Sequence, residues 1–146
     1  MNLVLHALAA FFGTVAFSIL FGTPRKYYNC CGFIGMAGWI IYCLLTWNSV
    51  NAEFAIFFAT SAVVFTSRMA AVDRKCPATV FVITGIFPLV PGGGIYWTSY
   101  YIVTEQIRKA SETGFAALRS AFMIVLGIVV MLEVPEKFFR HRQDAS

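Results

Sequence analysis

Charge is what this sequence has least of. Only 12% of its 146 residues are Asp, Glu, Lys or Arg, against about 25% in a soluble domain. So few charges cannot cover a water-facing globule of this length, and a soluble enzyme or binding domain is excluded. Histidine occurs twice, and the four cysteines, Cys30, Cys31, Cys43 and Cys76, lack zinc-like spacing. Adjacent Cys30 and Cys31 make a poor disulfide, and all four read as packing residues. The apolar runs hold no paired carboxylates, no Cys/His cluster and no nucleophile motif. Nothing calls for catalysis, a cofactor or a metal. Nucleic acid is not an expected partner either. The net charge is +4, but the basic residues sit between apolar runs, as in the cytoplasmic loops of membrane proteins.

What is abundant is apolar surface. The chain is 59% hydrophobic and 16% aromatic. The expected class is an all-α integral membrane protein, a single transmembrane domain with the lipid bilayer as its solvent. Five spans are expected, at about 3–21, 30–47, 52–68, 78–103 and 115–134. The first, at 1.5 Å per residue, reaches roughly 28 Å, enough for a bilayer core. No basic n-region precedes it, so it reads as a retained span rather than a signal peptide. Ala9, Gly13 and Ala16 form one small-residue stripe, and Gly32, Gly35 and Gly38 form another; both are suited to close helix contact. His6 reads as interfacial. Arg68, ending the third span, can snorkel, and Glu53 lies at that span's mouth.

The fourth span is interrupted at 88–94, Pro-Leu-Val-Pro-Gly-Gly-Gly. Proline removes a backbone donor and consecutive glycines favour non-helical backbone. Within a membrane such a break is tolerated only where protein or a water-filled cavity receives the unpaired groups. A half-helix resuming near Ile95 would offer free N–H groups and a positive dipole end, which favour anions. Thr98 and Ser99 would lie near its first turn, flanked by Tyr96 and Tyr100. Pro91, Gly92, Gly93, Gly94, Tyr96, Thr98 and Ser99 are therefore the candidate substrate-binding residues. The bland alternative is that Pro and Gly only permit a kink and tight packing. PGGG is not a P-loop, because no GK[ST] follows.

With five spans and an outside N-terminus, Arg25, Lys26, Arg68, Arg74, Lys75, Lys137, Arg140 and Arg142 lie inside, and Arg108, Lys109 and Arg119 outside. That eight-to-three bias follows the positive-inside rule. A four-span arrangement with 79–89 re-entrant swaps the tail with the Arg108 cluster and gives the same count. Charge alone fixes only the first three spans.

The segment CPATVFVITGIFPLVPGGGIYWTSYYI resembles the threonine/serine exporter family in its small membrane-only form, similar to the C-terminal half of ThrE and to YjjB-type subunits. The matching residues are the Pro77-Ala78-Thr79-Val80-Phe81 lead-in, Phe87–Pro88, Pro91–Gly92 and the aromatic helix that follows. Phe21-Gly22-Thr23-Pro24, Gly35, Gly38 and the polar stretch around Gly114 match as well. The resemblance implies a subunit of a bacterial inner-membrane exporter of small carboxylates, either threonine and serine or dicarboxylates such as succinate, driven by an ion gradient. It implies a larger partner subunit of the same family. Two five-span halves would form an inverted repeat, which favours an outside N-terminus and a cytoplasmic C-terminus here. Two other readings stay open: a non-transporting assembly or scaffold subunit, and a small channel formed as a homo-oligomer.

Overall fold

The computed structural model describes residues 2–135; the basic tail at Lys137, Arg140, His141 and Arg142 lies outside them. The fold is all helical. Helix α1 spans Leu3–Leu20, α2 Tyr28–Trp47 and α3 Ala52–Arg74, then come α4 at Thr79–Ile86, α5 at Gly92–Val103 and α6 at Ile107–Leu132. Single 3-10 turns, Arg25–Tyr27 and Phe87–Leu89, precede α2 and follow α4. Four segments, α1, Arg25–Trp47, α3 and α6, are long and apolar enough to cross a membrane, and Thr79–Leu89 with Gly92–Val103 form a pair bent by 54°.

Several boundaries differ from the sequence expectation. Helix α3 runs through Arg74 rather than stopping at 68, because Met69, Ala70 and Ala71 are good helix formers. It stops where Lys75 turns left-handed (φ 51°), the Cys76 N–H bonds the Ala71 carbonyl at 3.1 Å, and Pro77 follows. Helix α6 begins at Ile107 rather than 115. Its first turns are polar but helical, supported by an Arg108–Glu112 pair one turn apart. Hydropathy marks only the apolar remainder.

Helix α3 is the buried centre. Ala55, Ala59, Val63 and Val64 on it are 1% exposed or less, and α2, α4 and α6 all pack on it. Without a hydrophobic drive between helices in lipid, contact depends on close fit, which small residues allow. The Gly32, Gly35 and Gly38 face behaves as expected. A Cβ at Gly35 would fall on the Thr14 hydroxyl of α1, and one at Gly38 on a methyl of Val63 of α3. The other stripe does not. Ala9, Gly13 and Ala16 are exposed, and a Cβ at Gly13 meets nothing within 4 Å. The face of α1 that packs is Ala10, Thr14 and Ser18, which lies one residue round from it.

Arg68 does not snorkel to water. It is 9% exposed, and its Nη1 donates to the carbonyls of Met131, Leu132 and Val134. A guanidinium is thus held at the negative end of α6, where the terminal carbonyls lack helical partners. Near the start of α3, Glu53 pairs with Arg119 of α6 at 3.5 Å. These two ties match early α3 to the middle of α6 and late α3 to its end, so α3 and α6 run in the same direction. The bent pair lies between them as the return leg, the fifth span if it crosses as one.

Candidate functional site at the helix break

Pro88 cannot donate to the carbonyl four residues earlier, so α4 tightens into a 3-10 turn at Phe87–Leu89. Val90 is extended (ψ 131°), and Pro91 caps α5 at φ −75°, ψ 54°. The helix resumes at Gly92, earlier than the expected Ile95, so the non-helical stretch is only Val90 and Pro91. The Gly92 N–H bends back to the Val90 carbonyl at 2.7 Å, and the Ile95 N–H takes the Pro91 carbonyl at 3.1 Å. That leaves the Gly93 and Gly94 N–H groups as the first-turn donors without a carbonyl partner among the described residues. Gly92 and Gly93 are exposed, and a Cβ on either would meet nothing within 4 Å. The expectation that protein buries this turn is not met within the chain.

Gly94 has a different role. Its Cβ would lie 3.0 Å from that of Ala117, so the glycine brings α5 close onto α6. Thr98 continues that contact. Its hydroxyl lies 2.7 Å from the Gly94 carbonyl and 3.0 Å from the Thr113 hydroxyl of α6. Ser99 donates to the Ile95 carbonyl at 3.0 Å. Both hydroxyls sit in the second turn of α5, roughly 9 Å along the axis from Gly92. A single carboxylate cannot meet them and the glycine N–H groups together. With their protons given to carbonyls, the two oxygens are left chiefly as acceptors.

Pro91, Thr98 and Ser99 line one groove, of ≈ 530 Å³, between α5 and α6; Ala117 and Ala121 of α6 form its opposite wall. Gly92, Gly93, Gly94 and Tyr96 do not line it. Tyr96 is 64% exposed and packs edge-on against Trp97, which stacks on Tyr101. No charged side chain lines the groove. A second, larger groove of ≈ 730 Å³ adjoins it along α6, sharing Leu118, Ala121 and Val125, and runs over the Glu53–Arg119 pair. The sequence reading missed that pair; its only prior signal was two opposite charges in otherwise apolar runs.

The packing is asymmetric about the break. Helix α4 sits in the core, with Phe81 fully buried edge-on to Tyr27. Helix α5 buries no residue and packs chiefly on α6. The described residues contain no cluster of three or more His, Cys, Asp or Glu side chains able to hold a metal.

A family model described as Threonine/Serine exporter, ThrE, matches residues 6–134. Comparison with curated proteins and with solved structures gives no match.

Proposed function

The chain belongs to the threonine/serine exporter family, and from that premise we propose that it is the membrane subunit of a two-component exporter of small carboxylates. The cargo is serine and threonine, or dicarboxylates such as succinate, and a larger subunit of the same family completes the exporter. The observation that carries this reading is the start of α5. The Gly93 and Gly94 N–H groups stand without chain carbonyls at a positive helix end, beside space that no side chain fills at Gly92 and Gly93. A carboxylate is the group such an end favours, and Pro91, Gly92, Gly93 and Gly94 hold it. Thr98 and Ser99 lie roughly 9 Å farther along α5, lining the groove beyond the reach of a small solute whose carboxylate is held at the glycines, with Tyr96 on the outer face.

Helix α5, unburied and held chiefly by α6, supports a need for a second subunit. The break needs cover in a membrane, and this chain does not supply it. The chain has no chemistry of its own in this reading. It resides in the bacterial inner membrane. Arg25, Lys26, Arg74 and Lys75 lie at the ends of α1 and α3, and the end of α6 is tied to α3 through Arg68. By the positive-inside rule this end is cytoplasmic and Met1 is outside.

The test is efflux of labelled serine, threonine and succinate from cells expressing this chain, its partner, or both. Export only with both subunits present is the expected result. Export by this chain alone would leave a homo-oligomer, and no export of any of the three in any combination would remove the reading.

A further inference from the structure

A third groove reaches the break from the α1 side, and it carries the ionisable group that the α5 groove lacks. It lies between α1, α2 and the 3-10 turn, with a volume of ≈ 210 Å³. One end is His6, whose ring stacks over Trp39 with centroids 6.5 Å apart. The floor is Ala9 and Gly13; the other end is Phe87 and Pro88, the first residues of the break. Phe17 of α1 stacks on Phe87 and holds that end. From His6 to Phe17 the groove follows α1 for roughly 17 Å. Its volume is below the roughly 300 Å³ at which pockets for drug-sized ligands begin, so it suits a molecule of few atoms.

Around this groove, the elements packed on His6 carry no fixed charge. Helices α1, α2 and α4 and the 3-10 turn Phe87–Leu89 contain no Asp, Glu, Lys or Arg. Trp39, Phe87 and Pro88 line the groove with His6, and the titratable side chains nearest Trp39 on α2 are Tyr42 and Cys43. Histidine is the side-chain type that changes charge in the physiological range. Among the described residues the elements that line the groove offer no carboxylate, so an imidazolium here would have no counter-charge from them. A small carboxylate is the anion that would complete it.

We propose that the His6–Trp39 groove is a second binding site for the small carboxylate cargo, with the His6 imidazolium as its counter-charge and the groove as the route between the break and the membrane face where α1 begins. This rests on the exporter reading. A carboxylate bound to imidazolium stabilises the protonated ring, so binding strengthens as pH falls and weakens as the ring loses its proton.

The experiment uses membrane vesicles of both orientations from the native host, with the gene deleted and then restored as wild type or variant. Labelled serine and succinate are the probes, and concentration dependence is measured from acid to alkaline pH. Loss of a hydrogen bond to a charged group corresponds to about tenfold. In the wild type, apparent affinity from the α1-start face improves as pH falls. His6→Gln raises KM about tenfold at acid pH and flattens the profile. His6→Arg keeps the acid-pH KM at every pH tested. Gly13→Leu, whose Cβ meets nothing within 4 Å in the chain, still inserts and fills the groove, and transport falls at least tenfold. The proposal is overturned if His6→Gln leaves KM and profile unchanged, if His6→Arg behaves like His6→Gln, or if Gly13→Leu transports normally. If the restored wild type moves neither solute, the exporter reading fails instead, and this site falls with it.

Discussion

Gly35→Ala is the smallest change that tests how α1 and α2 are held together. The added Cβ would fall on the Thr14 hydroxyl and lie 2.9 Å from Thr14 Cβ and from Cγ2. Thr14 cannot swing aside easily. It is fully buried and its hydroxyl is bonded to the Ala10 carbonyl at 2.7 Å. Carbon atoms pack best at about 3.5–4.0 Å, so the helices must part by close to about 1 Å or the side chain must leave its rotamer. A gap of that size forfeits about a quarter to a half of each contact that crosses it. In lipid, close packing is the main attraction between helices. Overpacking of this kind costs about 1–3 kcal/mol, and 2 kcal/mol corresponds to roughly thirtyfold in a folding equilibrium.

The assay is reversible unfolding in bicelles, with Gly32→Ala and Gly13→Ala alongside. A Cβ at Gly32 meets the edge of the Phe11 ring at 2.6 Å and Val15 Cγ2 at 2.9 Å, side chains that are half-buried rather than buried like Thr14, so a smaller loss is expected. At Gly13 the site is open, and Ala should be neutral or stabilise the helix by up to about 1 kcal/mol. An unaffected Gly35→Ala protein, or equal losses at Gly35 and Gly13, would show that α1 does not meet α2 along Thr14.

Three further outcomes follow from other contacts. Arg68→Met removes the donor from the end of α6; a stability loss of about 2 kcal/mol is expected, with faster amide exchange over 131–134, and unchanged exchange there would deny the cap. At Gly92 and Gly93 an added Cβ has no neighbour within 4 Å among the described residues, so Gly92→Val and Gly93→Val should insert and melt close to wild type while efflux is lost, and full efflux would take the glycine N–H groups out of the site. Thr98→Val with Ser99→Ala should leave KM for serine and for succinate unchanged, because a carboxylate held by the glycine N–H groups leaves a small solute short of hydroxyls roughly 9 Å farther along α5. A KM for serine raised about tenfold in the double variant would move the carboxylate off the glycines and into the α5–α6 groove.

The two small-residue stripes show where the sequence could be read and where it could not. Ala9–Gly13–Ala16 and Gly32–Gly35–Gly38 satisfy the same rule, yet only the second is packed within the chain. Spacing shows that a face admits close approach but does not say what approaches. Threonine and serine made the missed face equally small: Thr14 and Ser18 give their hydroxyl protons to carbonyls of their own helix, so these side chains meet α2 without needing a polar partner on it. Hydropathy located the helices but misplaced two ends: the charge of Arg68 hid a further helical turn through Arg74, and Ile107–Glu112 is helical without being apolar.

The break was legible because Pro and Gly act locally, through a missing donor and a permissive backbone. Its two sides were not legible, because they depend on which helices lie beside it. Val90 and Pro91 open onto α5 and α6, where no charged side chain lines the groove. Phe87 and Pro88, only a few residues earlier, open onto α1 and His6. His6 and Pro88 are far apart in sequence, and each has an ordinary local explanation, as an interfacial residue and as a kink. Only the packing of α1 and α2 against the 3-10 turn sets them along one groove. The rise of α5 itself, roughly 9 Å from Gly92 to Thr98, separates the glycine N–H groups from Thr98 and Ser99, which the sequence had grouped by proximity. What a helix-terminal pattern supplies is one end of a site, and the tertiary arrangement decides which charges and which cover complete it.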